Sequence, residues 1–284
     1  MEKVFIVAAQ RTPIGKFGGA LSSKSAVELG ATVIKDAVHK AGISSKQVDQ
    51  VLMGNVLQAG AGQNPARQAA IAAGLDQSTP AITINDVCGS GLSSIILGVS
   101  LIQSKQAQMI VAGGMESMSR APYVLLNARH DALQDAWGGY AMGITAENVN
   151  ERYHIARYQQ DEFALRSHQK AVQAQQDHAF DDEITPVSVT VHHQDTAIDT
   201  DEAPRANTSL AALQGLKPVF KKDGSVTAGN ASGLNDGAAA IILASESAVK
   251  KYHLTPLAEW QASTTVGLDP AVMGLGPYYA ISKL

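Results

Sequence analysis

Cys88 is the residue through which this chain could form a covalent bond. It is the single cysteine among 284 residues, so its thiol can neither close an internal disulfide nor join a multi-cysteine zinc or iron–sulfur site. The run Ile82-Thr83-Ile84-Asn85-Asp86-Val87 leads into it, Gly89-Ser90-Gly91 follows, and Leu92–Gln103 then reads as a helix. A strand, a sharp glycine-rich turn and a helix would set the thiol at a helix N-terminus, where free N–H groups and the macrodipole favour a thiolate. Gly89 and Gly91 would let a substrate approach the backbone closely. Hydrolases and acyltransferases use such a turn to expose a nucleophile beside backbone N–H donors. The other reading of a lone cysteine, a small buried hydrophobe, stands beside this one. From Ala81 to Ser117 only Asp86, Lys105 and Glu116 are charged, so the helix behind the cysteine is expected to be buried. Spacing selects no general base, since no histidine lies between His39 and His130.

The elements that must position this turn are legible as alternating runs. Strand-like segments occur at Val4–Ala9, Val51–Leu57, Ala81–Val87 and Met109–Ala112, with helix-like segments at Ser25–Lys40, Pro65–Ala73 and Gly91–Gln103. Near-continuous apolar strands alternating with helices predict a doubly wound α/β sheet. Pro65 suits a first helical turn, and Gly42 and Gly74 suit helix ends. The middle differs. Residues 147–205 hold 12 acidic and 5 basic residues, net −7, against +3 for the rest, and read as a solvated excursion on an α/β core. Within it, Glu147–Asp177 reads as a long polar helical stretch with a break near Tyr158–Gln160, and Val187–His192 as an edge strand. Ala238–Ala244 and Leu257–Val266 read as further strands.

Composition narrows the classes. Hydrophobic residues make up 45% and charged residues 17%, enough for a sizeable core and against general disorder. With 22 basic and 26 acidic residues, net −4, nothing points to nucleic acid, and no apolar run is long enough to span a bilayer. The N-terminus runs straight into a strand and does not resemble a signal peptide; one cysteine suits a reducing cytoplasm. His192-His193 with Asp195 is read as a polar strand end in preference to a metal site. The final Ser282-Lys283-Leu284 has the form of a peroxisomal address, and also fits a helix in which a lysine has an ordinary place.

Several motifs carry a resemblance. NDVCGSG (Asn85–Gly91), VAGGMESMS (Val111–Ser119), MGITAENV (Met142–Val149) and TAGNASGLNDGAA (Thr227–Ala239), with VAAQRTPIGKFGG (Val7–Gly19) and DPAVMGLGP (Asp269–Pro277), resemble the thiolases, in particular the acetyl-CoA acetyltransferase branch. The resemblance covers the whole chain in order. It implies a thiolase-like α/β fold: an N-terminal βαβαβ-type domain over residues 1–117 and 234–256, a coenzyme A-covering loop domain over 118–233, and the start of a C-terminal domain at 257–284. It implies a two-step Claisen reaction, in which the Cys88 thiolate takes an acetyl group from acetyl-CoA and the carbanion of a second acetyl-CoA removes it to give acetoacetyl-CoA, with thiolysis as the reverse. No cofactor is implied beyond the coenzyme A thioesters themselves. Leu133 and Met142 match pocket-wall positions, Arg205 a contact to the nucleotide end, and Phe220, Ala228, Ala231 and Ser232 the pantetheine channel. Without the resemblance, Ala228–Gly233 reads equally as a tight turn and Arg205 as a surface residue.

The chain also departs from the pattern. The family uses a second cysteine as the α-proton base, a Gly-His-Pro histidine and an Asn-Glu-Ala-Phe asparagine; none of these occurs here. The stretch between Arg129 and Leu133 is shorter than in most members, which argues against a tetramer and leaves a homodimer as the expectation, and Ala141 stands where some members have a histidine. The expectation is therefore a thiolase lacking most of its C-terminal domain and inactive by itself. Two other readings are a non-catalytic remnant that binds coenzyme A or pairs with a full-length thiolase, and a cysteine hydrolase using a local histidine.

Overall fold

The computed structural model describes residues 2–123, 131–191 and 193–284. Arg129, His130 and His192 lie outside the described residues. The elements are β1 (Val4–Arg11), β2 (Gly15–Lys16), α1 (Ala26–Lys40), β3 (Gln50–Gly54), α2 (Pro65–Ala72), β4 (Ala81–Ile84), α3 (Ser90–Gln103), β5 (Met109–Ser117), α4 (Met142–Tyr153), α5 (Arg157–Gln176), β6 (Val187–Val191), β7 (Gln194–Ile198), α6 (Leu210–Gln214), β8 (Asn235–Ser245), α7 (Glu246–Tyr252), β9 (Ala258–Glu259) and α8 (Gly276–Lys283). They fall into two compact units. One comprises Met1–Pro122, Phe180–Glu202 and Leu234–Gln261; the other comprises Tyr123–Ala179, Ala203–Gly233 and Ala262–Leu284.

The first unit is built on a mixed sheet with, among the described residues, seven strands in the order β4-β3-β5-β8-β1-β9, β2 pairing with β8. β3 runs parallel to both β4 and β5. β8 is antiparallel to β5 and to β1, which makes the sheet mixed where the alternating pattern alone suggests parallel strands. Alternation along the strands divides the core between the two faces. Val51, Met53, Val111 and Ile242 pack with Leu29, Val33 and Ile34 of α1 and Ala66, Ala69 and Ala70 of α2. Leu52, Ile110, Ala112 and Leu243 pack on the opposite side with Val99 and Ile102 of α3.

Local signals explain the helices of this unit. Ser25 caps α1 through a capping box with Glu28, each residue's backbone N–H bonded to the other's side chain at 2.9 and 3.2 Å. Pro65 opens α2. Gly42 and Gly74 follow α1 and α2 in the left-handed region, φ 66° and 86°, which only glycine adopts without strain.

α3 departs from expectation. It is not buried throughout: Leu92 is 71% exposed and Leu97 is exposed as well. The residues buried against the sheet are Ser90, Ser94, Gly98, Val99 and Ile102, one stripe of the helix. A Cβ on Gly98 would stand 2.8 Å from Leu243 Cδ1. Small residues thus let α3 lie close against the sheet, Val99 and Ile102 fill the core at its later turns, and Leu92 and Leu97 point outward.

Residues 180–202 join this unit through Arg11. Its guanidinium bonds Glu183 at 2.6 Å and Asp201 at 2.8 Å and lies 5.1 Å from the Phe180 ring centroid. β6 and β7 pair as a separate antiparallel hairpin, with Val187 and Val189 in the core. The segment read as a strand over Leu257–Val266 is strand only at Ala258–Glu259, beside β1.

In the second unit α4 and α5 replace the long polar helical stretch. The break falls at His154–Ala156, a few residues before the expected position, where His154 ends α4 at φ 53°. Arg157 then ties the start of α5 to α6, bonding Asp161 at 2.8 Å and the carbonyls of Leu213 and Leu216 at 2.6 and 3.1 Å. Among the described residues no helix is long and apolar enough to cross a membrane.

Candidate active site

Cys88 sits where the sequence places it, in the turn between β4 and α3, and it is exposed. Gly89 is the N-cap of α3. The turn contains an unusual backbone: Val87 has φ 47°. A β-branched residue in the left-handed region is strained, and such strain persists only where the surroundings hold it. Short polar side chains do that here. Asn85 Oδ1 accepts the Val87 N–H at 3.1 Å, the Ser90 hydroxyl donates to the Val87 carbonyl at 2.5 Å, and Ser90 Oγ accepts the Asp86 N–H at 2.9 Å. Ser93 donates to Asp86 Oδ2 at 2.5 Å, closing the turn onto the helix.

The adjoining strand ends bring further groups to the same edge. Gly54 ends β3, and a Cβ there would stand 2.7 Å from Ser90 Cβ and 2.9 Å from Gly91 N, so the start of α3 depends on a bare backbone at this point. Beyond it, Asn55 is buried and donates from Nδ2 to the Met115 carbonyl at 3.1 Å and to Glu116 Oε1 at 2.9 Å. Glu116 Oε2 accepts the N–H groups of Val56 and Leu57 at 2.9 and 3.2 Å. Burial pushes the Glu116 carboxyl above its ordinary value, against the opposing pull of its bonds from the Val56, Leu57 and Ser117 N–H groups and the Asn55 amide. Just past the same end of β5, buried Asp236 accepts from the Ser119 N–H at 2.9 Å and from its hydroxyl at 2.5 Å.

The residues matched to coenzyme A all lie in the second unit. Leu133 closes a short 3-10 turn and is half-buried. Met142 opens α4, and one residue on, Gly143 leaves the space that the Phe220 ring occupies. Arg205 is exposed; its backbone N–H bonds His168 Nδ1 at 3.2 Å. Burial and then the Arg205 charge lower the His168 pKa. Ala228, Ala231 and Ser232 are exposed on one loop, the Ser232 hydroxyl turned to the Gly233 carbonyl at 3.1 Å. A surface groove of about 350 Å³ beside Asp135, Trp137, Tyr140 and Asp269 includes none of these residues.

Sequence reasoning missed what holds that loop. Buried Glu147 accepts from the Ser225 N–H at 2.9 Å, the Ser225 hydroxyl at 3.0 Å and the Val226 N–H at 2.8 Å. Asn230 Oδ1 accepts the Thr227 N–H at 2.8 Å, while its Nδ2 reaches fully buried Asp161 at 3.0 Å. It also missed Asn55, Asp86, Ser90 and Glu116 around Cys88. A signal existed for two of them: Asp86 and Glu116 are among the three charged residues between Ala81 and Ser117. Glu147 lies within the MGITAENV motif, which does not mark it as buried, and Asp161 lies in a stretch rich in exposed acids with nothing to set it apart.

Comparison with known proteins agrees with the motifs. The model of the thiolase N-terminal domain matches residues 4–247. The acetyl-CoA acetyltransferase of Escherichia coli K12 is 50% identical over 299 residues, covering 100% of this chain and 76% of that protein. The acetyl-CoA acetyltransferase of Pseudomonas aeruginosa PAO1 matches to the same extent. The crystal structure of the Bacillus anthracis acetyl-CoA acetyltransferase superposes with a TM-score of 0.96 at 42% identity, over 100% of this chain and 75% of that one. Human mitochondrial 3-ketoacyl-CoA thiolase gives 0.94 at 42% identity, over 99% and 75%. With motifs, fold and relatives in agreement, the chain belongs to the thiolases, a family of acyltransferase enzymes.

Proposed function

We propose that Cys88 is the acyl carrier of an acetyl-CoA C-acetyltransferase. The observation that carries this reading is an exposed thiol directly before the N-cap of α3, on a strained turn at the carboxyl ends of parallel strands β4 and β3. The sulfur attacks the thioester carbonyl of acetyl-CoA, the tetrahedral oxyanion collapses, and coenzyme A leaves as its thiolate and takes up a proton. Acyl exchange between two sulfurs is nearly balanced, so the step runs in either direction. Leu133, Met142, Arg205, Phe220, Ala228, Ala231 and Ser232 are the coenzyme A contacts of this reading. It needs no cofactor besides the thioester substrate. The names of the relatives support acetyl-CoA as the donor. We further infer a cytoplasmic homodimer.

The second half of the Claisen reaction needs a group to take the α-proton. This chain has one cysteine, already committed as the nucleophile, and a missing general base lowers a rate by about 10²–10⁴. The chain by itself is therefore expected to stop at the acetyl-enzyme. Incubation with acetyl-CoA followed by intact mass spectrometry tests this: one acetyl group on Cys88 and no acetoacetyl-CoA. A folded protein that takes no acetyl group sinks the reading. Binding of coenzyme A without acetylation would favour the non-catalytic alternative, and acetate release without transfer would favour a hydrolase.

A further inference from the structure

We infer that Glu116 is a positioning residue for Cys88, acting through Val56 and Asn85. Glu116 lies on β5 and Cys88 follows β4, with β3 between them. Hydrogen bonds bridge that gap. Glu116 Oε2 accepts the Val56 N–H at 2.9 Å; the Val56 carbonyl accepts Asn85 Nδ2 at 3.4 Å; Asn85 Oδ1 accepts the Val87 N–H at 3.1 Å. Val87 is the strained residue directly before the thiol. Backbone pairing runs alongside, the Asn55 N–H donating to the Ile84 carbonyl at 3.0 Å. A left-handed valine relaxes unless its neighbours hold it, and this relay reaches it through its N–H.

Asn55 shows that the placement of Glu116 is enforced. Its Nδ2 faces two acceptors, the Met115 carbonyl and Glu116 Oε1, so the amide has one usable orientation. In that orientation Oδ1 is buried and, among the described residues, has no hydrogen-bond partner. A buried acceptor without a partner is destabilising, and here that penalty accompanies a carboxylate held against the start of the Val56–Leu57 segment. Glu116 reaches donors with both oxygens. A glutamine in its place would turn an NH₂ against a donor on one side or the other.

The inference rests on Cys88 being the nucleophile proposed above, and its test separates the two. With one cysteine, alkylation by iodoacetamide gives a single adduct readable by intact mass. Glu116→Gln and Asn85→Ala are each expected to slow alkylation of the folded protein about fivefold, and the double variant to be no slower than the slower single one, because both act through one relay. A rate for Glu116→Gln within about twofold of wild type, or effects that multiply in the double variant, would overturn the inference. A purely structural role would lower the melting temperature and leave alkylation well below it unchanged. Should Glu116→Gln fail to fold, exposed Asn85 carries the test alone, and an unchanged rate for Asn85→Ala overturns the relay. Acetylation by acetyl-CoA is followed in parallel. A wild-type protein that is alkylated but never acetylated overturns the proposed function and leaves the relay standing.

Discussion

The turn around Cys88 and the loop carrying Ala228, Ala231 and Ser232 present exposed residues in two different ways. The Cys88 turn is strained, with a valine at φ 47°, and short hydroxyl and amide side chains hold it. The other loop has no left-handed side-chain residue among residues 225–233, and two buried carboxylates hold it from beneath, Glu147 and Asp161. The difference matches the roles proposed above for each. A nucleophile needs one geometry, and strain backed by many short bonds selects one. A segment that lines a thin ligand needs clear space, which small exposed residues supply while buried acceptors take up the backbone donors.

Loss of the thiol itself has the largest expected effect. Cys88→Ser is expected to abolish acetyl uptake from acetyl-CoA by mass spectrometry while leaving the circular dichroism spectrum and coenzyme A binding unchanged. Acetylation that persists would place the chemistry elsewhere. Next comes Glu147→Ala, which leaves two backbone N–H groups and a hydroxyl without their acceptor. Unfolding in urea should show a loss of about 2–4 kcal/mol. Calorimetry should show weaker coenzyme A binding, with iodoacetamide alkylation of Cys88 unaltered; a change in alkylation would mean that the two regions are not independent.

Two smaller effects sharpen the strained side. Val87→Gly removes the left-handed penalty but adds chain entropy to the unfolded state. The net gain in stability should be about 0.5–1 kcal/mol by urea unfolding. A clear loss would show that the valine is not strained. The smallest effect concerns pH. Because burial raises the Glu116 carboxyl, the folded state holds that proton more tightly than the unfolded chain does. Its contribution to stability is therefore fully present below the ordinary carboxylate value and is lost as pH rises through the raised one. Wild type should lose stability relative to Glu116→Gln between acid and neutral pH, and an opposite slope in paired urea titrations would refute the assignment.

Much of this was legible before any coordinates. Apart from the short β2, the order of strands and helices through β5 follows from apolar runs punctuated by Gly42, Pro65 and Gly74, and the Cys88 turn from glycines on either side of Ser90. Legibility ended where contacts between distant segments decided. α3 carries no charge and was expected to be buried, yet Leu92 and Leu97 are exposed while Ser90, Ser94 and Gly98 lie against the sheet, because close packing selects size and not only polarity. β8 reads as apolar, but its antiparallel direction is set by where the chain returns to the sheet. Residues 180–202 resemble the acidic stretch around them, and contacts made on folding place them beside β1: Arg11 pairs with Glu183 and Asp201, and its backbone bonds Glu183 and Thr185.

The amino-acid sequence by itself determined the nucleophile candidate, the family and the kinds of element, because these depend on residue type and on spacing along the chain. The tertiary structure alone decided which carboxylates are buried and which backbone groups they hold. Glu116 and Glu147 are ordinary acids in the sequence. Folding takes both out of water and sets them against donors contributed by residues some 60 and 78 positions away. That pairing is a property of the folded chain: the motifs that contain Glu116 and Glu147 do not specify the distant donors each one meets.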